Sequence, residues 1–389
     1  NSTERNELGA SVAVEVHGRP VVDLWGGFAD EAREQPWQRD TVCVVFSNTK
    51  PATALCAHLL AEAGELDLDR PVADVWPAFA AEGKGGITTR MLLDHTAGLP
   101  VVRESLPDGA AFDWERMVSV LERQAPLWEP GSRVGYHAIT FGWLVGEVVR
   151  RVSGLSLGEF FRERIAEPLS LDFWIGLPEA IEPQVAPIVP VPPSTGPRSA
   201  FEKAVLEDPE SIPSLYLRNS GGWRPAGFNT RAGHAAEMGA SGGITNARSL
   251  ARLYGCLALG GSRDGHALLR EDTLAQAVEV TAATHLDATL FVPTRFGGGF
   301  MRQMDNRARG LDSAVFGRHA FGHCGAGGSL AFASPPERLS FAYTMNRMGP
   351  GVLLNERAHA LVRACYAALG RLDSLDNFPP TKPLAATSP

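Results

Sequence analysis

The amino-acid sequence predicts a mixed α/β (α+β) protein in which an antiparallel sheet is built from both chain ends and flanked by helices. Two observations predict this fold class. Near each end, two short apolar runs flank a turn sequence, which is typical of a β-hairpin. Between the ends, many apolar residues recur at helical spacing. We therefore expect residues 1–70 and 235–370 to form one discontinuous sheet domain, with a helical and irregular domain inserted at 71–234 and a loose tail at 371–389.

The N-terminal elements lead to a serine at the start of a helix. Residues 11–17 and 21–26 are β-branched and apolar and are predicted to form the first hairpin. Residues 41–46 form another short apolar run that leads directly into Ser47. A helix is predicted over 47–63, because its leucines fall on one side.

The middle of the chain contains two predicted helices and a proline-rich segment. Thr88 or Thr89 is expected to cap a short helix, and residues 141–153 form a longer amphipathic helix. Residues 178–235 are rich in proline, so we expect irregular surface loops that cover a site.

The C-terminal part is predicted to contain a second hairpin between two helices. Residues 246–259 are predicted to form a helix. Residues 328–334 and 339–345 are predicted to form the second hairpin, and a helix is expected over 354–370.

The composition excludes several classes of protein. The 389 residues carry a net charge of -8, and 44% hydrophobic with 21% charged residues is typical of a globular protein. The acidic balance argues against nucleic acid as the main partner. The chain has no apolar run of about 18 residues, so no membrane span is predicted. Residues 1–8 are polar, so no signal peptide is predicted there, although the chain does not begin with Met.

The cysteine and histidine patterns argue against a metal site. The cysteines are Cys43, Cys56, Cys256, Cys324 and Cys365. Their odd number and the absence of a Cys-x-x-Cys pair argue against a disulfide framework and against a zinc site, so a reducing, cytoplasmic compartment is expected. The ten histidines show no ligand spacing such as His-Glu-x-x-His. No metal or other cofactor is predicted.

The pattern Ser47-Asn48-Thr49-Lys50 is the strongest local signal for chemistry. Positions i and i+3 at a helix start share one face, and the helix N-terminus supplies unpaired N–H groups. A desolvated lysine loses its proton more easily and can activate a neighbouring serine. The chain has only four lysines against 32 arginines, which makes Lys50 notable. The four residues alone are a weak signal, because a capping serine and a solvated lysine would give the same pattern.

Two later segments place this pattern in a family. Residues 92–100 are LLDHTAGLP, and residues 130–138 are PGSRVGYHA. Together with Ser-x-x-Lys, these segments resemble the serine β-lactamase and penicillin-binding-protein superfamily, specifically the class C-like branch that includes the family VIII carboxylesterases. The resemblance runs from about residue 10 to about residue 370 and implies a β-lactamase/transpeptidase-like fold.

The resemblance implies a catalytic set. Ser47 is then the nucleophile, and Lys50 and Tyr136 exchange protons with it. A tyrosine beside a cation can be a phenolate or can share a proton with the lysine.

The third motif of the family is expected at His323-Cys324-Gly325, on a strand that lines the site. By the resemblance, the N–H groups of Ser47 and Ala326 form the oxyanion hole. His323 is expected to line the substrate pocket, and Gly325 lets substrate approach the backbone.

Other candidates carry less weight. Ser241 lies in a Gly-x-Ser-x-Gly pattern, the nucleophile elbow of α/β-hydrolases, but no strand pattern precedes it, so we expect only a glycine-rich turn near the site. His95 is expected to stabilise a turn. Trp223 and Phe228 in the proline-rich segment are predicted to line the pocket.

Two departures from the family pattern indicate the substrate. Ala138 stands where penicillin-recognising enzymes have an asparagine that binds an amide, and His323 stands where many have a lysine. Both changes favour a neutral ester, so we predict a serine carboxylesterase that acts on a small-molecule ester with a short acyl chain. A β-lactamase, D-peptidase or amidase, an acyltransferase and a non-catalytic binding module remain alternatives. The oligomeric state is left open.

Overall fold

The computed structural model describes residues 6–191 and 197–375. Thirteen strands occur in this part of the chain. In chain order they are β1 (Gly9–Val16), β2 (Arg19–Gly27), β3 (Cys43–Val44), β4 (Phe173–Trp174), β5 (Ile244–Thr245), β6 (Ser262–Arg263), β7 (His266–Ala267), β8 (Ala282–Thr284), β9 (Thr294–Gly297), β10 (Phe300–Arg302), β11 (Phe321–Cys324), β12 (Leu330–Ser334) and β13 (Leu339–Met345).

Twelve α-helices accompany these strands in the described part of the chain. They are α1 (Thr49–Glu62), α2 (Thr89–Leu93), α3 (Trp114–Arg123), α4 (Thr140–Ser153), α5 (Leu157–Phe161), α6 (Ala200–Glu207), α7 (Ile212–Arg218), α8 (Pro225–Phe228), α9 (Arg231–Ala235), α10 (Ala247–Ala258), α11 (Glu271–Ala277) and α12 (Glu356–Ala368).

The central element is an eight-stranded antiparallel sheet in the order β2-β1-β13-β12-β11-β10-β9-β8. Strand β1 pairs with β13 in a register that joins Ala10 to Met345 and Val16 to Leu339. The two predicted hairpins, β1–β2 and β12–β13, are therefore adjacent in space. This arrangement confirms the prediction of a sheet assembled from both chain ends.

Helices cover both faces of the sheet. On one face, α10 packs against β1, β12 and β13, and α1 contacts β10 and β11. The Ser340 hydroxyl donates to the Ala251 carbonyl (2.7 Å) and so ties α10 to β13. On the other face, Tyr366 of α12 stacks on Phe332 of β12 with ring centres 6.2 Å apart. Helix α1 is buried along most of its length between the sheet and helices α4 and α5.

Two local predictions were wrong. The helix predicted over 47–63 begins only at Thr49, because Phe46–Asn48 forms a 3-10 turn before α1, and only Cys43–Val44 of the apolar run 41–46 forms a strand. Segment 178–235 was expected to be irregular, but it contains the short helices α6 to α9. The prediction extended the proline-rich pattern of residues 178–197 to the whole segment, although α6 begins only at Ala200. The later prolines of α7 and α8 lie in the first turn of each helix, where a proline costs no hydrogen bond.

The helix predictions were otherwise close. Thr88 caps α2 by accepting from the Met91 N–H (3.3 Å), and α4, α10 and α12 lie within the predicted ranges or one residue outside them. Most of the predicted tail, residues 376–389, lies outside the described residues. Within the described part of the chain, no helix has the length and hydropathy to cross a membrane, and no cluster of side chains has the composition of a metal site.

Candidate active site

Ser47 lies in a strained turn between β3 and α1. The preceding residue, Phe46, has a φ of 48°, a conformation that is unfavourable for a bulky side chain. Packing holds it there, because its ring meets Phe228 edge to face at 5.3 Å and the Val45 N–H donates to the Gly243 carbonyl (2.9 Å). Ser47 is the one residue of this turn that is not fully buried. The turn therefore presents the Ser47 hydroxyl at a surface while its neighbours pack inside.

The Lys50 amine has three oxygen neighbours. It lies 3.1 Å from the Ser47 hydroxyl, 2.8 Å from the Ala138 carbonyl and 3.0 Å from the Ala240 carbonyl. The side chain is fully buried, and this desolvation holds the pKa of Lys50 well below its usual value of 10.5. A neutral amine has two N–H groups and one lone pair. Since the two carbonyls can only accept, the lone pair is left for the Ser47 proton.

Tyr136 also lies beside the Lys50 amine, which is 4.5 Å from the centre of the phenol ring. The ring stacks on Phe296 (5.6 Å) and meets His95 at 4.9 Å. Burial raises the pKa of Tyr136 well above 10, although the nearby Ser47 hydroxyl opposes this. Tyr136 is therefore a neutral phenol here and not the phenolate considered from the sequence, because desolvation outweighs its neighbours.

The Tyr136 hydroxyl is buried and has no hydrogen-bond partner among the described residues. It faces the same cavity as Ser47. A buried phenol that is free to donate is suited to deliver a proton to a bound substrate.

His323 lies behind this group and not in the cavity wall. It is 1% exposed, and its ring centre is 5.8 Å from that of Tyr136. The Nδ1–H donates to the Cys324 carbonyl (2.7 Å), which leaves the Nε2 lone pair buried and unpartnered among the described residues. Burial lowers the pKa of His323 to about 3, so the ring is neutral. Because side chains alternate along β11, Cys324 lines the cavity in place of His323, which corrects the prediction.

A hydrogen-bonded link joins the Ser47 turn to the turn after β11. The Asn48 amide donates to the Ser329 hydroxyl (3.0 Å) and to the Val45 carbonyl (3.3 Å). The Ser329 hydroxyl in turn donates to the same Val45 carbonyl (3.2 Å). All three side-chain contacts are buried, so the two turns are held in fixed relative positions.

This link brings together two backbone N–H groups at the cavity. Ser47 and Ala326 each lie at the start of a 3-10 turn, where N–H groups have no acceptor within the turn. Both residues line the cavity. Gly325 is required between them, because a Cβ there would lie 2.2 Å from the Ser329 hydroxyl and 2.3 Å from the Val45 carbonyl. The arrangement is that of two donors able to stabilise an oxyanion.

The cavity beside these groups has a volume of about 250 Å³ and a mainly apolar wall. No arginine, lysine or histidine is among the described residues that line it. Its larger side chains include Phe201, Tyr216, Leu290, Met301, Met348 and Leu353. Three larger clefts, of about 330, 410 and 530 Å³, are lined by neither Ser47 nor Tyr136, so the site is identified by its chemistry and not by its volume.

Besides His323, four predicted pocket residues, Gly325, Trp223, Phe228 and Ala138, are not among the described residues that line the cavity. Trp223 and Phe228 pack on each other at 5.7 Å, and Phe228 supports Phe46 from behind. The Ala138 side chain is buried, and its carbonyl accepts a hydrogen bond from Lys50. The proline-rich segment does reach the cavity, but through Phe201 of α6 and Tyr216 of α7.

The remaining candidates have structural positions. Ser241 follows a turn after α9 and precedes β5, so it does not lie on a strand-to-helix elbow. The adjacent Ala240 carbonyl binds Lys50, as expected of a turn near the site. His95, with a φ of 67°, accepts the His137 N–H on its Nδ1 (3.2 Å) and so braces the segment that carries Tyr136.

Asp287 is a site residue that sequence reasoning missed. Its buried carboxylate accepts the N–H of Tyr136 at 3.0 and 3.2 Å. No local motif marks this aspartate, and only the fold brings position 287 to position 136.

The chain is similar to known proteins over most of its length. The model of the Beta-lactamase family matches residues 2–365. The chain is 35% identical over 363 residues to the esterase/beta-lactamase LipL of Mycobacterium tuberculosis. The aligned region covers 90% of this chain and 80% of LipL. A penicillin-binding protein homologue from Caulobacter crescentus superimposes with a TM-score of 0.82 and 37% identity over 94% of each chain. A family VIII carboxylesterase superimposes with a TM-score of 0.81 and 35% identity, over 93% of this chain and 92% of that chain.

Proposed function

The chain belongs to the Beta-lactamase family of serine hydrolases, and on this basis we propose that it is a carboxylesterase that hydrolyses short-chain esters through an acyl-enzyme on Ser47. One observation carries the proposal. The buried Lys50 amine lies 3.1 Å from the Ser47 hydroxyl, with two carbonyls to accept its N–H groups. This arrangement supports a neutral lysine that takes the serine proton.

In the acylation step, Lys50 accepts the proton of Ser47 as the serine oxygen bonds to the ester carbonyl carbon. The negative charge that forms on the carbonyl oxygen accepts hydrogen bonds from the N–H groups of Ser47 and Ala326. The C–O bond to the alcohol then breaks, and Tyr136 donates its phenolic proton to the departing oxygen. The proton held by Lys50 passes to Tyr136, which restores both groups.

In deacylation, water takes the place of Ser47 as the nucleophile and Ser47 becomes the leaving group. A water molecule gives its proton to Lys50 as it adds to the acyl carbon, and the same two N–H groups again hold the oxyanion. Collapse of this intermediate breaks the bond to Ser47, which takes the proton back. The acid leaves, and the enzyme returns to its starting state. The covalent intermediate divides one difficult hydrolysis into two easier steps.

The cavity wall favours an ester over a β-lactam. A β-lactam carries a carboxylate, and no cationic side chain lies among the described residues of the wall. His323, at the position where a lysine would supply charge, is neutral because burial lowers its pKa to about 3. A small ester with apolar groups needs neither a cation nor an amide-binding side chain. The five free cysteines accord with a reducing compartment, in which we propose the enzyme works.

A substrate panel tests the proposal. Wild type and Ser47→Ala are compared on nitrophenyl acetate and butyrate, a chromogenic cephalosporin and a D-amino acid amide. We expect ester hydrolysis by wild type to exceed cephalosporin and amide hydrolysis by at least about 100-fold, and Ser47→Ala to lose it. Ser241→Ala is the matched control, because it removes the serine of the rival motif, and it should keep ester hydrolysis.

Other outcomes identify the alternatives. Fast hydrolysis of the cephalosporin or the amide with slow ester hydrolysis would show a lactamase or amidase. Ester formation with an added alcohol, in excess of hydrolysis, would show an acyltransferase. A fluorophosphonate probe that leaves Ser47 unlabelled would contradict any catalytic role for this residue.

A further inference from the structure

Asp287 is a fully buried carboxylate in the loop between β8 and β9. Its Oδ1 accepts from the N–H groups of Tyr136 (3.0 Å), Thr289 (2.8 Å) and Leu290 (3.0 Å). Its Oδ2 accepts from the Thr294 hydroxyl (3.1 Å) and lies 3.2 Å from the Tyr136 nitrogen. One carboxylate therefore gathers donors from two separate segments of the chain.

This carboxylate has no ion pair within the described residues. Burying an ionised group without a cation is costly, and hydrogen bonds to its oxygens are what offset that cost. The donors around Asp287 are backbone N–H groups and one hydroxyl. A second link joins the same segments, because the Ala288 N–H donates to the Val134 carbonyl (3.1 Å). The two segments are thus fixed to each other beside the site.

Both segments deliver a side chain to the cavity. The first supplies Tyr136 and the second supplies Leu290. The Tyr136 hydroxyl makes no hydrogen bond of normal geometry to a described residue, and its polar neighbour is the hydroxyl of Ser47, which is itself in the site. Its position depends on the backbone N–H held by Asp287 and on ring packing against Phe296 and His95.

We propose that Asp287 is a positioning residue, which fixes the Tyr136 phenol and the Leu290 wall of the cavity by holding the backbone of both segments on one carboxylate. The proposal rests on the proposed function in one respect, since it takes Tyr136 as the proton donor to the leaving group. Asp287 does not touch the reacting atoms. It acts through Tyr136, and loss of that placement slows the chemical step.

A double-mutant cycle tests this role. Asp287→Ala, Tyr136→Phe and the double variant are compared with wild type for the rate of Ser47 labelling by a fluorophosphonate and for kcat and KM on nitrophenyl butyrate. We expect Asp287→Ala to lower kcat by about 100-fold and to change KM by less than about fivefold. In the Tyr136→Phe background, the same substitution should cost less than about fivefold, because the group it positions is already gone.

Conservative variants separate positioning from simple loss of stability. Asp287→Asn keeps the oxygen that accepts from Tyr136, Thr289 and Leu290, so it should remain within about tenfold of wild type. Glu147→Gln changes another fully buried carboxylate, which binds Arg150 and Arg151 away from the site, and it should leave kcat unchanged. If Asp287→Ala does not fold, Asp287→Ser takes its place in the cycle, since its hydroxyl still accepts a hydrogen bond.

Three results distinguish failure of the positioning role of Asp287 from failure of the proposed function. If Asp287→Ala lowers kcat as much in the Tyr136→Phe background as in wild type, the two effects are additive, and the positioning role is overturned. If wild type is labelled at Ser47 but hydrolyses no ester, the proposed function fails and the cycle is evaluated from labelling rates alone. If wild type is neither labelled nor active on any ester, the proton-donor role of Tyr136 is wrong and the proposal for Asp287 falls with it.

Discussion

The amine of Lys50 lies 3.1 Å from the hydroxyl of Ser47, at the end of a side chain that is fully buried. Burial favours the neutral amine, and the two neighbouring carbonyls occupy its N–H groups. The same arrangement determines how stability and activity depend on pH.

The first prediction concerns stability. The lowered pKa of Lys50 means that the folded protein binds fewer protons than the unfolded chain between that pKa and 10.5. The free energy of unfolding therefore rises with pH across this range. We expect the free energy of unfolding of wild type, relative to Lys50→Met, to increase from about pH 7 to about pH 10, measured by urea denaturation. Lys203→Met, at an exposed lysine, should show no such trend, and a flat difference for Lys50→Met would contradict the burial argument.

The second prediction concerns the pH profile of kcat/KM for ester hydrolysis. Activity should rise with pH as Lys50 loses its proton, and this rise should end below 10.5. Tyr136 must stay protonated to act as an acid, and burial raises its pKa well above 10, so no fall should occur below about pH 10. His323, with a pKa of about 3, should contribute no step near neutrality. If kcat/KM of His323→Gln rises over the same pH range as that of wild type, the rise is assigned to Lys50. A rise at a different pH would show that the His323 imidazole is the group that titrates.

The third prediction concerns Gly325→Ala. The new methyl group would lie 2.2 Å from the Ser329 hydroxyl and 2.3 Å from the Val45 carbonyl, so the two turns must separate. We expect kcat to fall by about 100-fold or more, since the Ala326 N–H then leaves its position for the oxyanion. Gly85→Ala, where a Cβ meets nothing within 4 Å, is the control and should retain wild-type kinetics. Equal rates for the two variants would argue against an oxyanion role for the second turn.

The fourth prediction concerns Cys324, the thiol in the cavity wall. Burial raises the pKa of Cys324 to about 12, so the thiolate is scarce at neutral pH. Iodoacetamide at about pH 7 should therefore leave ester hydrolysis intact, and Cys324→Ser should keep kcat within about tenfold of wild type. Rapid inactivation by iodoacetamide in wild type, but not in Cys324→Ser, would show a reactive thiol instead.

The sequence predicts the parts of the fold whose signals are local. The hairpin strands are short apolar runs that flank turns, and α1 follows a helical pattern, so neighbouring residues are sufficient to identify both. The positive φ of Phe46 is different, because packing against Phe228 imposes it on a residue that would avoid it alone. No window of sequence around Phe46 contains that information.

The site residues, too, were predicted where their signal is local and missed where it is not. Ser47 and Lys50 are three positions apart and were recognised as a pair, and the structure brings both to Tyr136. Asp287 was missed because its contact with Tyr136 joins positions 151 residues apart. His323 was expected in the cavity wall, but Cys324 lies there instead. Successive side chains of a strand point to opposite faces of the sheet, so a prediction that is wrong by one residue selects the wrong face.

The pairing of β1 with β13 also bears on synthesis of the protein. Val16 pairs with Leu339, and β13 is the strand that joins β1 to β12. A nascent chain therefore carries Ser47, Lys50 and Tyr136 long before the ribosome has made the strand that completes the sheet. Until then β1 has an open edge, which is a site for association with other unfinished chains. A translation product that stops before Leu339 should consequently be inactive and prone to aggregate, although Ser47, Lys50 and Tyr136 are all present.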